Sequence, residues 1–153
     1  MPRASVPVSG KRQPAKAVPV QGGRRPTSVE SPDLAAARAI SWRVGRADMD
    51  GPWGWHRMDA TTAIFLHGKL SSFETMTWAD LINSPHNKRI PVEHLSPDAQ
   101  NRLIERRLDD QDDVWELRLS GRQRVWGYRV GDVMHLLWWD PEHEVCPSTL
   151  RNT

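Results

Sequence analysis

The chain has 153 residues with 38% hydrophobic side chains, which supports one domain with a tail and argues against a two-domain enzyme. It carries 21 Lys and Arg against 19 Asp and Glu, an excess too small to require a nucleic-acid partner by itself. No long apolar run and no apolar stretch behind the N-terminal basic residues is present, so we expect neither a transmembrane helix nor a signal peptide. The single cysteine, Cys146, excludes an internal disulfide and a multi-cysteine metal cluster, and a cytoplasmic location is expected.

Proline and charge divide the chain into two parts. Residues 1–38 contain six of the twelve prolines, no aromatic residue, and seven basic against two acidic side chains. This composition buries too little apolar surface to offset chain entropy, so we predict a disordered, basic, proline-rich tail. Residues 39–153 hold all eight Trp and all six His, with 14 basic and 17 acidic side chains, and are predicted to form a single α+β domain.

The first half of the domain is predicted to contain short helices. Asp59 and Ser96 are favourable N-cap residues, and Pro97 suits the first position of a helix. Pro85 ends the helical pattern before it, because the residue preceding a proline avoids the α region. The predicted elements are, in chain order, a strand over residues 40–44, a turn-rich loop over 48–55, and helices over about 60–68, 72–82 and 97–108.

The second half is predicted to be a β-meander. Apolar residues alternate over residues 114–119, and two further strands cover 124–130 and 133–139. Gly121 and Gly131-Asp132 mark the turns between them. A tight turn at Gly131 predicts the cross-strand pairs Val130 with Val133, Tyr128 with His135, Trp126 with Leu137, and Arg124 with Trp139. The predicted fold class is therefore α+β, with N-terminal short helices followed by a three- to four-stranded antiparallel β-meander.

A family resemblance rests on the segment from Trp115 to His143, WELRLSGRQRVWGYRVGDVMHLLWWDPEH. It resembles the C-terminal half of RelE/ParE-type toxins, which have a Leu-Arg strand, a Gly turn, an Arg-Val strand, an apolar strand and a His near its end. The resemblance covers about residues 85–146, with Lys88-Arg89-Ile90-Pro91 in the place of a lysine-containing connector. The chain departs from the family pattern at Glu144, where these toxins usually have Arg. Its Trp-Trp-Asp-Pro-x-His-x-Val-Cys-Pro ending is also similar to that of bacterial proteins without an established function.

This resemblance implies a RelE-like toxin of a bacterial toxin–antitoxin module. The implied activity is metal-independent cleavage of mRNA without a cofactor. The implied partners are a cognate antitoxin protein and mRNA or the ribosome, with no membrane. By the positions that match, the implied catalytic residues are Arg118, Arg124 and His143. Candidate substrate-binding residues are Lys88, Arg89, Arg129, His135 and Trp126.

These residue types fit the chemistry of RNA cleavage by a ribose 2′-OH. The reaction needs a base for the 2′-OH, cations for the phosphorane charge, and an acid for the leaving 5′-oxygen. A guanidinium grips two phosphate oxygens and stays protonated, while an imidazole transfers protons near neutral pH. Metal binding is not expected, because Asp140 and His143 are too few ligands for a zinc site.

Each candidate also has a structural interpretation. Strand arginines commonly form cross-strand ion pairs, here with Glu116 or Asp132, and Arg124 can stack on a tryptophan. His143 can hydrogen-bond the backbone at a strand end, and His135 can be a structural histidine of an apolar strand. Two functional alternatives therefore stay open. One is a non-catalytic RelE/ParE-fold protein that binds a protein or nucleic acid, favoured by the acidity of the domain, and the other is an unrelated small intracellular domain.

Overall fold

The computed structural model describes residues 36–147, so almost all of the predicted tail, residues 1–38, lies outside the described residues. Two 3₁₀ turns, Trp55–Arg57 and Val92–His94, connect the main elements. The helices are α1 (Ala60–Phe73), α2 (Trp78–Asn83) and α3 (Pro97–Glu105). The strands are β1 (Ser41–Arg43), β2 (Asn87–Pro91), β3 (Asp113–Ser120), β4 (Gln123–Val130) and β5 (Val133–Asp140).

The five strands form one mixed sheet in the order β1-β5-β4-β3-β2. Strand β1 runs parallel to β5, and the other neighbours are antiparallel. The α+β class is confirmed, but the predicted meander of three or four antiparallel strands is too simple. The segment 88–91, expected as a connector, belongs to β2, and the predicted N-terminal strand joins the far edge of the same sheet.

Helices cover both faces of the sheet. On the α3 face, Leu103 of α3 packs with Trp126 and Trp138. On the α2 face, Trp78 and Leu81 of α2 pack with Leu117, and Leu66 of α1 belongs to the same cluster. Both faces of the central strands are therefore buried, which explains why β5 is nearly continuously apolar.

Local signals set the helix ends. The Asp59 carboxylate accepts the Thr62 N–H at 2.7 Å and begins α1, which runs five residues past its predicted end to Phe73. The predicted 72–82 helix is shorter, because Thr77 and Asp80 form a capping box that starts α2 at Trp78. Helix α3 starts at Pro97 as predicted and ends at Glu105.

The register between β4 and β5 contains a β-bulge. The predicted pairs Val130–Val133 and Tyr128–His135 are present. The predicted pairs Trp126–Leu137 and Arg124–Trp139 are wrong, since Trp126 pairs with Trp138 and Arg124 pairs with Asp140. One extra residue in β5 shifts the register between Trp126 and Gly127, and sequence alternation does not reveal such an insertion. The shift brings Arg124 and Asp140 side by side on the α3 face.

A buried ion pair fastens the loop 48–55 to this scaffold. The Asp48 carboxylate accepts two hydrogen bonds from the Arg102 guanidinium, at 2.7 and 2.8 Å, and one from the Trp138 indole at 3.2 Å. Trp53 of the loop packs on Trp138 with ring centroids 5.5 Å apart. This loop therefore closes the core of the α3 face. Within residues 36–147, no helix combines the length and apolar content needed to span a bilayer.

Candidate functional site

Three ionisable side chains meet at one end of the α3 face. Oε1 of Glu116 lies 3.0 Å from Nε of Arg124 and 3.6 Å from Nε2 of His143. The exposed fractions of these side chains are 2% for Glu116, 10% for Arg124 and 11% for His143. We call Glu116, Arg124 and His143 the polar cluster. It unites two predicted catalytic residues around a carboxylate that the sequence analysis treated only as an ion-pair partner.

Asp140 shapes the turn that presents His143. Its buried carboxylate accepts the backbone N–H groups of Glu144 at 2.8 Å and Val145 at 3.0 Å, and the Trp126 indole N–H at 3.1 Å. Burial raises the pKa of Asp140, although these hydrogen bonds oppose the change. His143 adopts a positive φ of 58° in this turn, which directs the chain after β5 back toward Glu116.

Arg124 is engaged by the protein itself. Its Nε donates to Glu116, and its Nη1 donates to the carbonyl oxygens of Gly121 at 2.7 Å and Gln123 at 3.0 Å. Burial lowers the pKa of Arg124, and the neighbouring Arg118 lowers it further. These contacts fix the guanidinium under the β3–β4 turn. Arg124, one of the two arginines predicted to bind phosphate, therefore uses its guanidinium to hold Glu116 in place.

Two exposed cations stand beside the polar cluster. Lys88 of β2 pairs across the sheet with Glu116, and Arg118 of β3 pairs with Arg124. Burial lowers the pKa of His143 below its usual value of 6.5, and Arg124, Lys88 and Arg118 lower it further against an opposing effect of Asp140. The imidazole is therefore neutral near pH 7 and able to accept a proton.

Two predicted substrate-binding arginines lie on the opposite face. The Arg129 guanidinium carbon lies 4.0 Å from the centre of the Trp78 ring, and its Nε donates to the Gly131 carbonyl at 2.6 Å. Arg89 is 3.6 Å from the Asp113 carboxylate and lines a pocket with Arg129. Neither residue joins the polar cluster, because alternate residues of a strand point to opposite faces.

The remaining two predicted substrate-binding residues, His135 and Trp126, are also not available at the polar cluster. His135 lies away from it, and Trp126 is buried. His135 stacks on Tyr128 with ring centroids 4.8 Å apart and planes at 7°. Burial lowers the pKa of His135, and Arg43 and Arg46 lower it further. Trp126 is 0% exposed with its indole bonded to Asp140, so the ring cannot stack on an RNA base in this structure.

Sequence reasoning missed Glu116 and Asp140 as site residues. Glu116 lies on the polar side of an alternating strand and Asp140 at the end of an apolar one, so the sequence carries little sign that both carboxylates are buried. Within residues 36–147, no group of three or more His, Cys, Asp or Glu side chains is arranged to hold a metal ion. No family model, curated protein or solved structure matches the chain, so its resemblance to RelE/ParE-type toxins stays a prediction.

Proposed function

We propose that this protein is a RelE-like endoribonuclease that cleaves mRNA without a metal ion and acts as the toxin of a toxin–antitoxin module. The observation that carries the proposal is the contact of His143 with Glu116 at 3.6 Å, flanked by the exposed cations Lys88 and Arg118. A proton acceptor beside cations is the minimum for attack of a 2′-OH on a phosphate.

His143 is the general base in this proposal. Its lowered pKa leaves the imidazole neutral near pH 7. Glu116 lies 3.6 Å from Nε2, within ion-pair range, and stabilises the imidazolium that forms, as a carboxylate does for a catalytic histidine in other hydrolytic sites. The imidazole of His143 then takes the proton of the 2′-OH, whose oxygen bonds to phosphorus. The bond from phosphorus to the 5′-oxygen breaks, and that oxygen receives a proton from the imidazolium or from water.

The cations have separate tasks. Arg118 and Lys88 are exposed and stabilise the charge that develops on the phosphorane oxygens. Arg124 is a positioning residue, because its contacts with Glu116 and two carbonyl groups leave it buried. This division retains His143, Arg118 and Lys88 from the sequence analysis and adds Glu116.

A toxin requires an inhibitor, and the proposed one is an antitoxin protein that covers α1. The support is the surface of this helix, of which only Leu66 is fully buried. Ile64 is 75% exposed there, and Phe65 beside it is also exposed. Apolar side chains of this size are typical anchors for a partner protein.

The test is growth of a bacterial host that expresses the protein. Wild type is expected to arrest growth and deplete mRNA, and His143→Ala is expected to abolish both effects. His67→Ala is the matched control, because His67 is an exposed residue of α1 away from the polar cluster. Growth unaffected by the wild-type protein, or equally arrested by His143→Ala at equal expression, refutes the proposal.

A second candidate is a non-catalytic binding protein of similar fold. The low exposure of Glu116 and Arg124 favours it, since buried and mutually bonded charges also serve purely to order a core. In that case purified wild type binds a partner protein or RNA but leaves RNA intact. Cleaved RNA in the wild-type reaction, absent from the His143→Ala reaction, excludes this candidate.

A further inference from the structure

A second depression lies on the α2 face, at the edge of the sheet near the β3–β4 turn. It measures about 450 Å³, within the range of roughly 300–1,000 Å³ that is usual for ligand clefts. Its walls come from the end of α1, the turn between α2 and β2, and the end of β3. Its lining residues include Lys69, Phe73, Met76, His86, Arg118 and Leu119. We call this depression the edge cleft.

The edge cleft has a basic rim and an apolar floor. Lys69, His86 and Arg118 are exposed at its rim, and no Asp or Glu is among the described residues that line it. Phe73, Met76 and Leu119 supply the apolar surface. Single-stranded nucleic acids are bound by this combination, in which cations track the phosphates and bases lie on apolar or aromatic side chains.

Arg118 connects the edge cleft with the polar cluster. Strand β2 begins at Asn87, which pairs with Leu117, whereas β3 continues to Ser120. The last residues of β3 therefore have no β2 residue beside them, and a chain can cross the sheet at this point. Arg118 pairs with Arg124 of the polar cluster and also lines the cleft, so this one residue borders both.

We propose that the edge cleft binds single-stranded RNA next to the phosphate that is cleaved. This inference rests on the proposed nuclease function and names its substrate class as unpaired RNA. The strand lies with its bases against Phe73 and Met76, passes Arg118 at the edge of the sheet, and reaches His143 on the α3 face. A rigid A-form duplex cannot bend around a sheet edge in this way, whereas a single strand can.

The test is binding of a fluorescein-labelled, ten-nucleotide 2′-O-methyl RNA, measured by anisotropy over a range of salt concentrations. The 2′-O-methyl group blocks the nucleophile, so binding is observed without cleavage. Lys69→Ala is expected to weaken binding and to reduce the slope of log K against log salt by about 0.7, the value for one phosphate contact on a single strand. Arg43→Ala removes one exposed charge from β1, at the opposite edge of the sheet, and is expected to leave the slope unchanged.

Each outcome decides the inference. A reduced slope for Lys69→Ala alone, with weaker binding of a duplex of equal length, supports it. Equal effects of Lys69→Ala and Arg43→Ala, equal affinity for the duplex, or no binding by wild type overturns it. Binding that depends on Lys69 without cleavage of unmodified RNA by wild type leaves the cleft in place and refutes the nuclease function, so the two failures are distinguishable.

Discussion

Three buried carboxylates show how the same charged group takes different tasks. Asp48 faces the Arg102 guanidinium, Asp140 faces backbone N–H groups, and Glu116 faces Arg124 and His143. The partners of Asp48 and Glu116 come from other elements of the fold, whereas the backbone N–H groups that Asp140 faces lie four and five residues further along the chain. Burial of a charge requires such partners. The sequence shows that these residues are acidic but not which donor each one meets. That is why the position of Glu116 between Arg124 and His143 was not predictable from the sequence.

Asp48→Asn is expected to lower the free energy of unfolding by about 3 kcal/mol, because it removes one partner of a largely buried ion pair. Urea denaturation at pH 7, followed by tryptophan fluorescence, measures the change. Asp50→Asn is the matched control, since Asp50 contacts the same Arg102 but is 82% exposed. It is expected to cost less than about 1 kcal/mol. Equal losses in the two variants contradict a structural role for Asp48.

The same pair gives the sign of a pH effect. Burial raises the pKa of Asp48, but the Arg102 hydrogen bonds and the Asp50 and Gly51 N–H groups outweigh it and hold the pKa well below 3.8. The ionised form therefore stabilises the fold above pH 3.8, and this contribution is lost as the pH falls further. The difference in free energy of unfolding between wild type and Asp48→Asn should therefore become smaller below pH 3.8. A difference that stays constant with pH contradicts a stabilising role for ionised Asp48.

At the scale of elements, helix caps and turns were easier to predict from the sequence than the pairing of strands. Local signals of this kind act within a few residues, so the sequence predicts them. They are the caps at Asp59 and Ser96 and the turns at Gly121 and Gly131. Both turn glycines have the positive φ that such tight turns need. The parallel pairing of β1 with β5 could not be predicted, because the partner of this three-residue strand is distant in the chain.

Close packing at the β5 bulge leads us to expect that a side chain at Gly127 lowers stability. A Cβ at this position would lie 2.6 Å from the His135 carbonyl oxygen, a backbone atom that cannot easily move. Gly127→Ala is therefore expected to lower the free energy of unfolding by about 1–3 kcal/mol in urea denaturation. Gly68→Ala is the control in α1, where nothing lies within 4 Å and alanine favours the helix by up to about 1 kcal/mol. Wild-type stability of Gly127→Ala contradicts the tight packing at the bulge.

At the scale of the whole molecule, the two-sided sheet decides which candidates meet. Lys88 and Arg89 are adjacent in the sequence, but Lys88 lies beside Glu116 while Arg89 lies beside Trp115 on the other face. The basic candidates chosen from the sequence therefore included residues from both faces of the sheet. The alternation of side chains along each strand is visible in the sequence. Which residues share a face with the polar cluster became clear only once the structure showed helices on both sides of the sheet. The candidate site was predictable in its residue types and only partly in its members.

The most direct test of the nuclease claim is cleavage of an end-labelled single-stranded RNA by the purified protein in EDTA, from about pH 5 to pH 8. The proposed mechanism predicts products with 2′,3′-cyclic phosphate and 5′-hydroxyl ends. Because the proton acceptor must be neutral and the pKa of His143 is lowered, the rate should rise with pH below 6.5 and level off above it. The absence of cleavage by folded wild type across this range, or unchanged cleavage by His143→Ala, would contradict it.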